Sequence, residues 1–308
     1  MDNRLINVYI NKGEKAHDKG EYIKALNYYL RAEELLGEID DIELCINIAL
    51  LYDQLSEFEK AKLYYKKAIE INDAEARAYY GIAVIHDELE EYDKAIKYYK
   101  KAVDINPVYD RGIFFLANAL DLNGEKEESI KWYKKLLEIC PNDFWGYMNL
   151  GSIYEERDEL NKAYRMFATA MEIDSDNYMA LYNMGVIYRK LNILDKSKKM
   201  YIKAIKKNPG HDGSFLNLAV LYKEEGKIEK GIDILTKGIE FNQESEFLYY
   251  NRACFYSLSD EIEKATSDII KAHSLHNGFM KYILKDDDLK DVRQTDTFKE
   301  YLAKIMKN

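Results

Sequence analysis

Residues able to do chemistry are few in this chain, and one non-catalytic type is placed with regularity. The five histidines, His17, His86, His211, His273 and His276, are scattered. Only His273 and His276 stand at i,i+3, and no third ligand of metal-site spacing lies near them, so structural or surface roles are expected. The three cysteines, Cys45, Cys140 and Cys254, are 95 and 114 residues apart and form no C-x-x-C pair. They are expected to be reduced, mostly buried small side chains. No phosphate-cradling glycine loop and no G-x-S-x-G elbow occurs. The acidic residues fall mainly on turns and helix faces, where lysines can pair with them. An enzyme, a metal and a cofactor are therefore not expected.

The regular feature is an asparagine column. Asn11, Asn47, Gly81, Phe115, Asn149, Asn183, Asn217 and Asn251 are spaced by 36 residues once and by 34 thereafter. An amide offers donors and an acceptor, so a row of them can pair with the C=O and N–H of an extended peptide whatever its sequence. One residue earlier runs Ile10, Ile46, Tyr80, Phe114, Met148, Tyr182, Leu216 and Tyr250, rich in side chains that supply contact area at interfaces. Near the break at Gly81 and Phe115, Trp145 and Asn118 add to that surface. The candidate peptide-binding set is thus Asn47, Asn149, Asn183, Asn217, Asn251, Tyr80, Phe114, Phe115, Asn118, Met148, Tyr182 and Tyr250. Two readings stand for each column: contact with a bound peptide, or packing and hydrogen bonding within the repeat.

Elements that could hold such columns in line follow from the same interval. The stretch "EYDKAIKYYKKAVDINP" has a near-copy 34 residues upstream, "EFEKAKLYYKKAIEIND", and another 34 downstream, "EKEESIKWYKKLLEICP". A small column, Ala25, Ala61, Ala95, Ser129, Ala163, Ser197, Gly231 and Ala265, runs through them. Twelve residues earlier in every unit stands a Gly or Ala, from Gly13 to Ala253. Seven residues later comes a third, mostly small column, Ala32 to Ala272. Between the first and third lies a large one: Tyr29, Tyr65, Tyr99, Tyr133, Phe167, Tyr201, Leu235 and Ile269. Spacings of i, i+3, i+4 and i+7, as in Leu181, Met184, Gly185 and Tyr188, predict two amphipathic helices per unit, joined by short turns such as "LNGEK". Small residues mark where helix axes cross closely, and rings fill the space beside the crossing.

This small-large-small signature at 34-residue spacing resembles the tetratricopeptide repeat family. The resemblance covers residues 6–279 as eight units, with Pro107, Pro141 and Pro209 at the unit-ending position. Departures are two extra residues near "GEIDD", Leu136 in a small column, and Leu235 and Ile269 in the ring column. The resemblance implies an all-α fold, a right-handed α-α superhelix whose first helices line a concave groove. The asparagine column is similar to the ladder in the repeat domain of O-linked N-acetylglucosamine transferases. The Lys, Asn and Arg clamp by which some members grip a C-terminal carboxylate is missing, since Tyr80, Phe114 and Met148 stand where it would need cations. Residues 280–308 no longer repeat and are expected to form capping helices, with Asp288 and Thr295 or Asp296 as N-caps and "DDD" as a helix-start motif.

Composition agrees with this. The chain has 3 Pro and 15 Gly against 32% charged residues, which favours long helices. A net charge of -10 opposes phosphate backbones and anionic membranes, so nucleic acid is not an expected partner. No apolar run spans a membrane and the N-terminus lacks the apolar core of a signal peptide, which predicts a cytoplasmic protein without membrane insertion. The expected function is a noncatalytic scaffold binding an extended peptide or helix of a partner protein. A substrate-recognition module of an enzyme such as a protein glycosyltransferase, or a peptide-sensing regulator, is the alternative.

Overall fold

The computed structural model describes residues 3–37 and 40–305, which are overwhelmingly helical, and no strand occurs among them. Eight helix pairs follow one another. They are α1 (Asn3–His17) with α2 (Tyr22–Leu36), α3 (Ile42–Gln54) with α4 (Phe58–Ile71), and α5 (Ala76–Glu88) with α6 (Tyr92–Ile105). Next come α7 (Asp110–Leu122) with α8 (Lys126–Ile139), α9 (Phe144–Glu156) with α10 (Leu160–Ile173), and α11 (Tyr178–Lys190) with α12 (Leu194–Lys207). The last two are α13 (Asp212–Glu224) with α14 (Ile228–Phe241) and α15 (Glu246–Leu258) with α16 (Ile262–Leu275). After them stand α17 (Met280–Ile283), α18 (Asp296–Ile305) and three 3-10 turns. The chain is a solenoid of helical repeats. It divides into two compact units, residues 1–153 and 154–308. Within the first, each helix from α1 to α8 packs on the next, and within the second the same holds from α10 to α16. The extra residues near "GEIDD" include Glu38 and Ile39, outside the described residues, as are residues 306–308 of the expected cap.

The turn inside each pair is set by one backbone position. Gly20, Ser56, Glu90, Gly124, Asp158, Asn192, Gly226 and Asp260 all have φ between 57° and 83°. The next residue's N–H reaches back five residues, as Glu91 does to His86 O and Glu159 to Tyr154 O, both at 2.8 Å. This is the Schellman arrangement that satisfies the last carbonyls of a helix. Between pairs a second device recurs. Asn72, Asn106, Asp174 and Asn208 each accept, through Oδ1, the N–H two residues on, so the chain turns without leaving that donor unpaired.

The small and large columns make the core. Ala61, Ala95, Ala163 and Ala265 are fully buried, as are Tyr99, Tyr133 and Tyr201. Each buried ring removes about 150–250 Å² from water, which makes this column the main source of packing energy. Where serine replaces alanine, its hydroxyl finds the carbonyl of the facing small column: Ser129 Oγ donates to Ala117 O and Ser197 Oγ to Gly185 O, each at 2.7 Å. Glycine in that facing column makes room for the ring. A Cβ on Gly185 would stand 2.6 Å from Tyr201 Cε1, and one on Gly13 would stand 2.5 Å from Tyr29 Cε1.

Phe279, Ile283, Leu289, Val292 and Phe298 are buried against Ala253 and Ile269 at the end of the second unit. The cap residues differ from expectation in one respect. Asp286, not Asp288, caps the 3-10 turn at Asp287–Leu289, accepting the Asp288 N–H at 2.9 Å. Asp288 is drawn away into an ion pair with Lys223 at 2.7 Å. Thr295 Oγ1 accepts the Phe298 N–H at 3.2 Å and so caps α18.

Candidate functional site

The helix repeat places successive first helices side by side, so their columns become rows. At positions 81, 115 and 149 the column meets the ring of the preceding pair, sixteen residues back. Asn149 Nδ2 donates to Tyr133 Oη at 2.9 Å, supplying a partner for a phenol that burial would otherwise strand. Asn217 Nδ2 donates to Tyr182 Oη at 3.0 Å, and Asn251 Nδ2 bonds Phe247 O in its own helix at 2.8 Å. Part of the hydrogen-bonding capacity of these three amides is therefore committed inside the repeat. Asn47 and Asn183 have no side-chain partner among the described residues.

The interruption of the column has a structural consequence. At Phe115 the ring stacks on Tyr99, centroids 6.3 Å apart, and the Tyr99 hydroxyl bonds Asp87 instead of an amide. At Gly81 the place of a side chain is taken by the buried Tyr65 ring, whose Cζ would lie 2.2 Å from a Cβ there. Beside this ring lies a cavity of about 330 Å³ between α3, α5 and α7, with Asn47, Asp53, Tyr65, Arg77, Tyr80 and Arg111 among its walls. A second cavity of about 200 Å³ adjoins through Arg111 and is walled by Phe114, Phe115 and Trp145. Rings connect the two. Tyr80 stands 5.2 Å from Tyr109 and 6.1 Å from Phe115, and Phe114 lies 5.3 Å from Phe115. Trp145 meets Phe144 edge-on, centroids 5.1 Å apart, and is still 47% exposed, a large apolar surface.

Of the expected binding residues, these cavities bring together Asn47, Tyr80, Phe114 and Phe115. Asn118 lines neither. Met148 requires a correction: it is 3% exposed, because its position on α9 turns it into the core, and it presents no surface to a ligand. Tyr182 packs on Tyr201 and His211, with centroids 5.8 and 4.7 Å away, while Tyr250 and Asn251 line a separate cavity in the second unit.

Three site residues escaped the sequence reading. Arg77 and Arg111 stand in the first turns of α5 and α7, three residues before Tyr80 and Phe114 and outside the asparagine and ring columns. Arg77 is neutralised by Glu43 at 2.6 Å and Glu75 at 2.8 Å. The Arg111 guanidinium has no acidic partner among the described residues. Asp53 lies four residues after Ala49. Its Oδ1 is buried without a hydrogen-bond partner, and burial, reinforced by the Glu88 charge, pushes its carboxyl up to about 6.

The reactive side chains are otherwise engaged. Burial pushes the Cys45 thiol up to about 11 and raises Cys254 and Cys140 as well, which disfavours the thiolate a nucleophile needs. His86 Nδ1 lies 2.6 Å from Glu91, and His273 Nδ1 lies 2.7 Å from Tyr301 Oη. Among the described residues no three His, Cys, Asp or Glu side chains are grouped to hold a metal ion, and no helix is long and apolar enough to cross a membrane.

Known proteins give the family. Models described as tetratricopeptide repeat match residues 42–75, 76–109, 146–177, 179–211 and 213–245, and one described as TPR repeat matches 117–158. No curated protein matches the sequence. Among solved structures, YrrB, described as a TPR protein with an unusual peptide-binding site, is 27% identical with a TM-score of 0.52, over 60% of this chain and 95% of that one. The MamA protein is 23% identical with a TM-score of 0.51, over 56% and 94%. The APC/C hetero-tetramer Cut9-Hcn1 is 13% identical with a TM-score of 0.57, over 91% and 52%, and shares the fold. With repeat matches over more than half of its length, the chain belongs to the tetratricopeptide repeat family, whose members bind protein or peptide partners.

Proposed function

We propose that the chain is a noncatalytic interaction scaffold that binds an extended peptide of a partner protein across α3, α5, α7 and α9. The observation that carries this reading is the pair of adjoining, ring-lined cavities beside Gly81 and Phe115, where the asparagine column is interrupted. Side chains of a peptide can enter them in succession, Arg111 stands free between them, and Asn47 keeps an uncommitted amide for the peptide backbone. The ring-rich walls favour large apolar residues, the class that dominates binding energy at interfaces. The raised thiols and engaged histidines support the noncatalytic part of the reading.

The test starts with affinity purification of the protein and identification of the partner segment, followed by calorimetry. Trp145→Ala and Arg111→Ala alter exposed side chains and leave the fold intact. Each is expected to weaken the partner peptide at least tenfold, about 1.4 kcal/mol. Ile23→Ala, at a 67% exposed residue lining neither cavity, serves as the control. Equal affinities for all three variants and the parent protein rule the site out.

A further inference from the structure

Three first helices of the first unit carry an aspartate four residues after Ala49, Ala83 and Ala117: Asp53 on α3, Asp87 on α5 and Asp121 on α7. Two of them are answered within the fold. Tyr99 Oη donates to Asp87 Oδ2 at 3.0 Å, and the Lys126 ammonium lies 4.0 Å from Asp121. Asp53 has neither. Tyr65 follows it by twelve residues, as Tyr99 follows Asp87, but the Tyr65 hydroxyl does not donate to it. Its Oδ1 is buried without a partner, and no cation stands within ion-pair distance among the described residues. Of the three, Asp53 lines the cavity of about 330 Å³.

The surrounding charges leave this carboxylate uncompensated. Arg77 bridges Glu43 at 2.6 Å and Glu75 at 2.8 Å, and neither it nor Arg111 draws down the Asp53 carboxyl, which burial and the Glu88 charge hold at about 6. Across this cavity and the adjoining one, the carboxylates of Glu43, Asp53, Asp110 and Asp143 stand against the guanidinium groups of Arg77 and Arg111 alone. The balance is acidic. A desolvated, ionised carboxylate gains more from an ammonium or guanidinium donor than from a neutral one. Tyr65, Tyr80 and Tyr109 on the same walls can cover the aliphatic stem of such a side chain. We infer that the peptide bound across α3, α5, α7 and α9 carries a lysine or arginine whose side chain enters this cavity and pairs with Asp53. The inference rests on the peptide site proposed above and adds the class of side chain that site selects.

The test selects peptides from a random phage-displayed library on the full chain at pH 7.5, then measures synthetic versions by calorimetry. Peptides that occupy the groove are recognised because Trp145→Ala weakens them at least tenfold. Among these, a lysine or arginine is expected at a constant distance from the large apolar residues. Replacing that lysine by norleucine, or that arginine by citrulline, should cost at least tenfold on the parent protein. The same replacement should cost less than twofold on Asp53→Asn, which keeps the shape of the side chain and removes its charge. Absence of a basic preference, or Asn, Gln or Ser selected in its place, would overturn the inference. So would an equal loss on parent and Asp53→Asn. Each of these results leaves the peptide site standing, whereas a library that yields no Trp145-dependent peptide sinks that site and this inference with it.

Discussion

An amide that meets a buried phenol serves the fold before it serves a ligand. Asn149 and Tyr133 are sixteen residues apart, yet the repeat brings Nδ2 to within 2.9 Å of Oη. Such a bond contributes about 0.5–1.5 kcal/mol, and stranding the phenol costs at least as much. Asp53 is the opposite case, a buried oxygen without a partner. Its carboxyl rises from 3.8 to about 6 on folding, so the folded state holds its proton more tightly than the unfolded chain does. Stability linked to Asp53 is therefore highest below about pH 4, falls as pH rises towards 6, and is flat above. The loss amounts to roughly 2–3 kcal/mol. Asp53→Asn removes the charge at nearly constant shape. The variant's stability relative to the parent, from urea unfolding followed by circular dichroism, is expected to be greater at pH 8 than at pH 4 by about 2 kcal/mol. The same difference at both pH values would mean that Asp53 is solvated in the folded protein.

Between helices, the limiting quantity is the distance at which two axes can pass. Gly185 on α11 permits α12 to bring Tyr201 within 2.6 Å of where a Cβ would stand. Gly185→Leu must displace that ring from a fully buried site, at a cost of about 1–3 kcal/mol or more. Helices of a solenoid contact mainly their neighbours, so the damage should stay local. Hydrogen exchange is expected to quicken in α11 and α12, with α3 to α6 unaffected, and uniform quickening would contradict this account. These crossings were legible from sequence because a 34-residue interval and a small residue leave few arrangements. The turns were less so, because the left-handed position is filled by Ser56, Glu90, Asp158, Asn192 and Asp260 as well as by glycine. A residue-type search for glycine passes over them. The site was legible only in part. Asn47, Tyr80, Phe114 and Phe115 were placed by periodicity, but the cavity walls also take Asp53, Arg77 and Arg111, which lie outside the asparagine and ring columns. Met148 was misplaced because a column rotated slightly about the helix axis turns from surface to core.

At the scale of the whole molecule the chain is an array, and an array must be stopped. A final helix pair has no neighbour to cover its apolar face, so the cap residues Phe279, Ile283, Leu289, Val292 and Phe298 do so, burying themselves against α15 and α16. Arg293 ties this segment down by donating to Ile283 O at 2.9 Å and to Asp286 O. Because stability in such arrays is a sum of local terms and neighbour terms, loosening the cap should lower protection in a gradient and not melt the chain at once. Phe298→Ala deletes a ring that is 1% exposed, and the cavity it leaves costs about 3–5 kcal/mol. Hydrogen exchange in this variant is expected to rise most in α18, α15 and α16, less in α13 and α14, and not at all in α3 to α8 of the first unit. Thermal unfolding by circular dichroism should accordingly broaden, with an early phase that reports only the last helices. A single sharp transition, shifted as a whole to lower temperature with protection lost equally in both units, would mean that the array unfolds as one cooperative body and that its ends are not independent of its middle.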